Sequence, residues 1–549
     1  MKQFKKLVVA SMAMAMTFSL LTGCNTTKPT SGTEKASIYP GTPTANEMTL
    51  NLASEPANLF STTSTDIASG SVLIHIIEPL VTLDAQDKVI PGVATDWTVS
   101  EDGLVYTFNL REGMKWSNGE PVTAHDFVFA WTKLLDAETA SEYAYFGYIL
   151  KNGAAYNEGK VAKEEVGVKA LSDYQLEVTL ENPTPYALSS FAYKSFYPVN
   201  EKGYNEIGEA YGTDADKIVT NGAFTLTEWQ HDSKIVLTKN PEFYNAKEVE
   251  AEKVIMLMMT DSNASVNAFK AGEADMVNPR GELVTTLETE GQPVLRYDDG
   301  SCFYLEYNLE DGNVLQNANL RKALSNAIDK QAFVDVVLAN HSKAATSFTP
   351  PAILGYKDTF ASEVGELVPV VDVDGAKKAY EAALSELGVS TVSLSMICDD
   401  TDAAMDTAAF VQEQLKQSLG IEIKVESMPF KSRLERMTNK DFDIVFAGWG
   451  PDYNDPMTFL DMFETGNGNN HTSYSSAAYD ELLDKVRTEL DSKARFGYLK
   501  DLETLLMQDL PISPVYWRNR DYVLSSKIAS GVVRTAFQDI NVKYVKFNK

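Results

Sequence analysis

The chain has 549 residues, 44% hydrophobic and 23% charged, with 77 acidic side chains against 48 basic ones and a formal net charge of -29. That balance excludes a wholly disordered or collagen-like chain and allows two or three domains. Nucleic-acid binding needs clustered Lys and Arg to displace phosphate counterions, so the charge argues against a nucleic-acid partner. The acidity reads either as solubility or as a weak field that gathers cationic ligands.

In chain order, residues 1–23 read as an export signal. Lys2, Lys5 and Lys6 precede an uncharged run, Leu7–Thr22, which is shorter than the roughly 20 residues a membrane-spanning helix needs. The run ends in Leu21-Thr22-Gly23-Cys24, which resembles the bacterial lipobox. That resemblance implies a diacylglyceryl group on the Cys24 sulfur and membrane attachment through it. A plain secretory signal that happens to hold a Cys is the alternative. Residues 24–46, rich in Thr, Ser, Pro and Gly, read as a flexible tether. No later segment is apolar enough to span a bilayer.

Strands and helices then alternate. Leu104, Tyr106, Phe108 and Leu110 mark a strand with one apolar face. Thr123 caps a helix carrying Phe127, Val128, Ala130, Trp131, Leu134 and Leu135. Leu176, Val178 and Leu180 form another strand. Asn221-Gly222, followed by Phe224, Leu226, Ile235 and Leu237, suggests a turn and hairpin. Asn319 is expected to cap a helix with Leu320, Ala323, Leu324, Ala327 and Ile328 on one stripe. Helices are predicted over Gly375–Leu387 and Ala403–Leu419, with Gly420 at a left-handed C-terminus and a strand through Ile421, Ile423 and Val425 beyond it. The chain is α/β, and no clean linker follows residue 46, so its domains are expected to be discontinuous.

No Gly-x-Ser-x-Gly elbow, phosphate loop or His-Glu-x-x-His is present in the sequence, so an enzyme is not expected. His75, His125, His231, His341 and His471 are scattered and read as ordinary surface or supporting residues; no metal or cofactor is expected. Asp372-Val-Asp374-Gly375 with Glu381 fits part of a calcium loop, but Val370 stands at its first position. Asp374 reads better as a helix N-cap. Cys302 and Cys398 read as buried free thiols, although the sequence leaves a disulfide open.

The stretch from Asp441 to Pro456 carries the most chemistry. Phe442–Ala447 reads as a buried strand bounded by Gly448. Gly448 and Gly450 leave backbone uncovered, Trp449 offers a flat wall, and Asp452 sits past the strand's end, where open sheets receive ligands. Exposed backbone there could pair with an extended peptide, and a carboxylate with an ammonium. A purely structural turn is the alternative, since Asp-Tyr-Asn-Asp-Pro is turn chemistry.

Taken together these pieces resemble the oligopeptide-binding lipoproteins of ABC importers, the large three-lobed solute-binding proteins of extracytoplasmic family 5. The resemblance spans about 48–545 and is strongest in Gly92–Gly103 and Tyr106–Phe127. Supporting blocks are Ile218–Phe224, Ala271–Asp275 and Leu320–Lys330. It implies a type II periplasmic-binding-protein-like fold of mixed α and β lobes. Residues 46–77, 202–306 and 520–549 would form lobe I, 78–201 an extra lobe II, and 307–519 lobe III. The family's Gly-Trp-x-x-Asp-Tyr-Asn motif matches Gly448, Trp449, Asp452, Tyr453 and Asn454. Asp452 would hold a peptide's ammonium, and Gly448 and Gly450 would pair with its main chain. Phe430 and Leu434 match side-chain-pocket positions, with Met437 and Trp449 adding apolar lining, and Thr65 to Ile67 match a facing lobe-I strand.

This sequence departs from some relatives where a basic residue precedes the motif, since Phe446 stands there, and it has no evident His near the start of the 403–419 helix. Terminal carboxylates are therefore expected not to be tightly read. The implied function is an extracytoplasmic, lipid-anchored, monomeric receptor that passes oligopeptides to an ABC permease and its ATPase. Another cargo (a nickel chelate, haem or an oligosaccharide) or a signalling role without import are the alternatives.

Overall fold

The computed structural model describes residues 37–85, 88–184, 186–489, 491–534 and 540–549. The expected signal and Cys24 lie outside them. The tether expectation fails for residues 37–46, which dock onto the body. Ser37 Oγ donates to Gln292 Oε1 (2.8 Å), the Thr42 N–H donates to Asp275 Oδ1 (2.8 Å), and the Tyr39 ring meets Phe269 edge-on. The Tyr39 ring, the Gln292 amide and the buried Asp275 carboxylate all hold a stretch whose composition reads as linker.

The architecture is mixed α/β, as the sequence predicts. After β1 (Glu47–Asn51) and α1 (Ile67–Ile76) comes an antiparallel four-stranded sheet. Its strands are β2 (Ala94–Val99), β3 (Val105–Leu110), β4 (Val168–Ser172) and β5 (Gln175–Thr179), in the order β2–β3–β5–β4. In β3 the alternation holds: Tyr106, Phe108 and Leu110 are buried and Asn109 is exposed. Against this sheet lies α2 (Ala124–Leu135). The Thr123 N–H donates to Asp126 Oδ2 at 2.7 Å, closing a capping box, and Phe127, Ala130, Trp131, Leu134 and Leu135 are buried.

The predicted hairpin forms as β6 (Phe224–Gln230) and β7 (Lys234–Lys239). Asn221-Gly222 is not its turn. Gly222 presses on the end of α1, its N–H donating to Ile76 O (2.8 Å), and a Cβ there would lie 2.5 Å from the Ile76 carbonyl carbon.

The remaining strands of the large sheet are β8 (Lys253–Leu257), β9 (Met276–Val277), β10 (Leu295–Tyr307), β11 (Leu394–Asp399), β12 (Ile423–Met428), β13 (Ile444–Trp449) and β14 (Ile512–Leu524). The order is β12–β11–β13–β10–β14–β9–β1–β8–β7–β6, with Lys343–Ala344 also pairing with β14. Two 13-residue antiparallel strands, β10 and β14, thus link two groups of shorter strands. Their register breaks between Asp298 and Cys302. Gly300 sits in the break at φ +72°, and a Cβ on it would lie 2.9 Å from the Pro451 ring. The irregularity therefore seats the loop that follows β13.

Helices α3 (Ala318–Asn326), α4 (Val373–Leu387), α5 (Asp402–Leu419) and α6 (Phe430–Thr438) complete the elements needed below. Two caps differ from expectation. Asn317, not Asn319, accepts the Leu320 N–H; Asp372, not Asp374, accepts the Gly375 N–H. In both, the side chain reaches three residues ahead, so the earlier of two suitable residues closes the first turn. Gly420 is left-handed (φ 70°) as predicted. Cys302 and Cys398 are buried free thiols. Among the histidines, His75 and His471 are buried rather than on the surface. His75 Nδ1 meets Ser71 O, its Nε2 accepts the Val542 N–H, and burial lowers its pKa to about 4.

Candidate functional site

Strand β13 begins two residues later than its apolar run suggests and continues through Gly448 to Trp449. Along one edge it pairs with β10 throughout, from Ile444 opposite Tyr307 to Trp449 opposite Cys302. Along the other it pairs with β11 only at Ile444 and Val445. Beyond Val445 that edge has no strand neighbour among the described residues. Gly448 is exposed there, and a Cβ on it would lie 2.6 Å from the Phe303 ring. The glycine leaves a bare backbone and lets the Phe303 ring pack directly against it.

Trp449 and Asp452 are fixed by one residue. Trp449 Nε1 donates to Thr458 O (2.7 Å), and the Asp452 N–H donates to Thr458 Oγ1 (2.8 Å). The Asp452 side chain points inward and is 4% exposed. Its Oδ1 accepts the Tyr143 hydroxyl (3.2 Å). Behind it the Tyr193 hydroxyl donates to Tyr143 (3.1 Å) and Lys194 Nζ donates to Tyr193 (2.6 Å). Its Oδ2 is buried with no hydrogen-bond partner among the described residues. Burial raises the carboxyl pKa to about 6, against the pull of Lys194 and the hydroxyls. The Ser61, Thr62, Ser64 and Tyr145 hydroxyls and Asp461 Oδ1 are likewise buried without such a partner. Ser141 Oγ donates to Thr62 O (2.6 Å), tying the 60s loop to the tyrosine segment.

The other expected site residues separate into two groups. Tyr453 and Asn454 hold the loop. Tyr453 is buried and stacks on Tyr186 (4.4 Å, 7°), and its hydroxyl donates to Asp461 Oδ2. Burial lifts the Asp461 carboxyl to about 8. Asn454 Oδ1 accepts the Leu354 N–H. Gly450, partly buried, lies between Trp449 and this loop. On α6, Phe430 is 40% exposed under the Arg433 guanidinium (5.1 Å), and Leu434 is half-buried. Met437 is buried, and Arg433 Nη1 contacts its sulfur.

Thr65 to Ile67 are not a strand. Thr65 is in a loop and Ile67 opens α1, because Asp66 accepts the Ser69 N–H at 2.8 Å and caps the helix. This segment offers no ladder edge. Tyr143, Tyr193 and Lys194 went unnoticed in the sequence. The density of rings at Tyr143, Tyr145, Phe146 and Tyr148 was the available signal.

Similarity to known proteins agrees with this geometry. Residues 88–471 match the family model described as bacterial extracellular solute-binding proteins, family 5 middle. The oligopeptide-binding protein OppA of Bacillus subtilis is 33% identical over 500 residues, 88% of this chain and 90% of that protein. The dipeptide-binding protein DppE of the same organism is 32% identical over the full length of both. The structure of Listeria monocytogenes OppA bound to peptide superposes with a TM-score of 0.87 at 33% identity, covering 92% of this chain and 99% of that one. The fold, the open strand edge and the sequence together place this chain in family 5 of the bacterial extracellular solute-binding proteins.

Proposed function

We propose that this protein is an extracytoplasmic receptor for peptides with a free amino end. Asp452 takes the ammonium and the free edge of β13 takes the peptide main chain. The observation that carries this reading is the buried Asp452 Oδ2, which lacks a hydrogen-bond partner among the described residues. An unsatisfied buried acceptor costs about 1–3 kcal/mol, and a charge-assisted donor entering there would contribute roughly 1.5–3 kcal/mol. Strand addition at Ala447 to Trp449 is sequence-blind, so side-chain pockets near Phe430 and Leu434 tune the selection rather than dictate it. The names of the similar proteins, oligopeptide-binding and dipeptide-binding, support the same class of ligand.

The three-lobe division belongs to this reading. It is supported by the separate sheet formed wholly between residues 94 and 179 and by the two long strands that join the strand groups of the large sheet. The reading further holds that Cys24 carries the lipid, that the receptor acts as a monomer without covalent chemistry, and that an ABC permease with its ATPase receives the cargo. Mass spectrometry of co-purifying ligands tests the class, and peptides are expected. Calorimetry tests the site: Asp452→Asn should weaken a free-amine peptide about tenfold or more and leave its N-acetylated form nearly unchanged. Equal losses for both would remove the role assigned to Asp452.

A further inference from the structure

A second charged feature lies on the long strands, away from Asp452. One face of β10 and β14 carries Asp299 and Phe303 from the first strand and Tyr516, Arg518 and Arg520 from the second. Arg518 Nε (2.5 Å) and Arg520 Nε (2.7 Å) both donate to the same oxygen, Asp299 Oδ2. Burial alone would raise the pKa of Asp299, but Arg518, Arg520 and Arg534 outweigh it and hold the carboxyl at about 2. Arg280, just past β9, lies within electrostatic reach of Arg520, Tyr516, Tyr522 and Asp402. Its side chain is exposed and makes no hydrogen bond or ion pair among the described residues.

This cluster adjoins the proposed peptide edge. The Arg518 guanidinium lies 4.8 Å over the Phe303 ring, the same ring that packs against Gly448. Phe303 also stacks on Tyr516 (4.8 Å) and packs against Phe446 of β13. Crowded guanidiniums sharing one carboxylate repel each other, and each presents a planar fork of donors suited to a carboxylate. Besides Asp299, Asp402 in the first turn of α5 is an acidic group within electrostatic reach of Arg280. In a chain with 77 acids and 48 bases, such a local excess of arginine stands out from the overall charge.

We propose that Arg280, backed by Arg518 and Arg520, is a carboxylate subsite of the cleft, so that a bound peptide meets an acid at its amino end and arginines further along. This rests on the peptide reading above and reverses the sequence-based expectation that carboxylates go unread. That expectation considered β13 and the start of α5, whereas the arginines come from β14 and the turn after β9. The carboxylate is either the peptide's C-terminus or an acidic side chain.

The test uses one neutral peptide in three forms: free C-terminus, C-terminal amide, and amide with an internal Glu. Each is titrated into the wild-type protein and into Arg280→Gln, whose exposed position spares the fold. Amidation should weaken wild-type binding about tenfold and have little effect in Arg280→Gln. That loss on amidation assigns the subsite to the C-terminus; no loss on amidation but tighter binding of the internal-Glu form, abolished in Arg280→Gln, assigns it to a side chain. Arg280→Glu should favour the amide. Equal binding of all three forms by the wild type, or a uniform loss in Arg280→Gln, would overturn the subsite while leaving the peptide reading intact. Failure of every form to bind would overturn both.

Discussion

Tyr143 and Asp452 lie 309 positions apart in the chain, yet the tyrosine hydroxyl donates to the carboxylate at 3.2 Å. The contact ends a relay that starts at Lys194 and passes through Tyr193. It gives Oδ1 of the carboxylate a donor, while Oδ2 has no hydrogen-bond partner among the described residues, an arrangement suited to the proposed ammonium site.

The first prediction concerns pH. Burial holds the unliganded Asp452 carboxyl at about 6, and pairing with an ammonium needs the ionised form. Affinity for an amine-ended peptide should therefore rise with pH through this value. At pH 5 it should be about tenfold below its level near pH 7. Asp452→Asn should flatten the profile. Tyr143→Phe, which removes a donor to the anion, should move the midpoint upward. Calorimetry at half-unit pH steps checks all three.

Asp461 offers a stability test. Its carboxyl lies at about 8 in the folded chain against roughly 3.9 when unfolded. The folded state holds a proton that the unfolded state releases, so its contribution to stability falls as pH rises through that interval. Asp461→Asn keeps an acceptor for the Tyr453 hydroxyl and removes the titration. The variant should melt within about 2 °C of the parent near pH 4, where the carboxyl is still substantially protonated in both states, and above it at pH 8.5. A clear loss at pH 8.5 would contradict the assignment.

Gly448 is required for space rather than for backbone conformation. A methyl group there would meet the Phe303 ring at 2.6 Å, and the ring cannot yield easily because it is stacked on Tyr516. Gly448→Ala should cost about 1–3 kcal/mol by denaturant titration and weaken peptide binding as well.

The caps give a paired control. Asp372→Ala should cost about 1 kcal/mol, because its side chain accepts the Gly375 N–H. Asp374→Ala, in the first turn but not at the cap, should change stability by a few tenths at most. Reversed magnitudes would restore the sequence-based placement.

Much of this was legible in the chain. The period-two burial of β3, the capping box of α2 and the Gly448 to Asp452 stretch follow from local pattern, and local pattern is what a linear reading sees. The caps at Asn317 and Asp372 slipped because two suitable residues stood two apart, and only the geometry of the first turn separates them. The partners of Asp452 were hidden for a different reason. Tyr143 and Tyr193 reach it through tertiary packing, and no spacing encodes that. Thr65 to Ile67 were assigned to a strand by family likeness, whereas Asp66 starts a helix there. The arginine group was missed because Arg280, Arg518 and Arg520 come from distant segments.

The docking of residues 37–46 also sets a leash length. If Cys24 bears the lipid, only twelve residues separate it from Ser37, a reach of at most about 45 Å when fully drawn out. A tether free as far as Asn46 would have allowed about 75 Å. The shorter span would keep the receptor close over the bilayer surface, so that delivering cargo to a membrane partner becomes more a matter of orientation than of search.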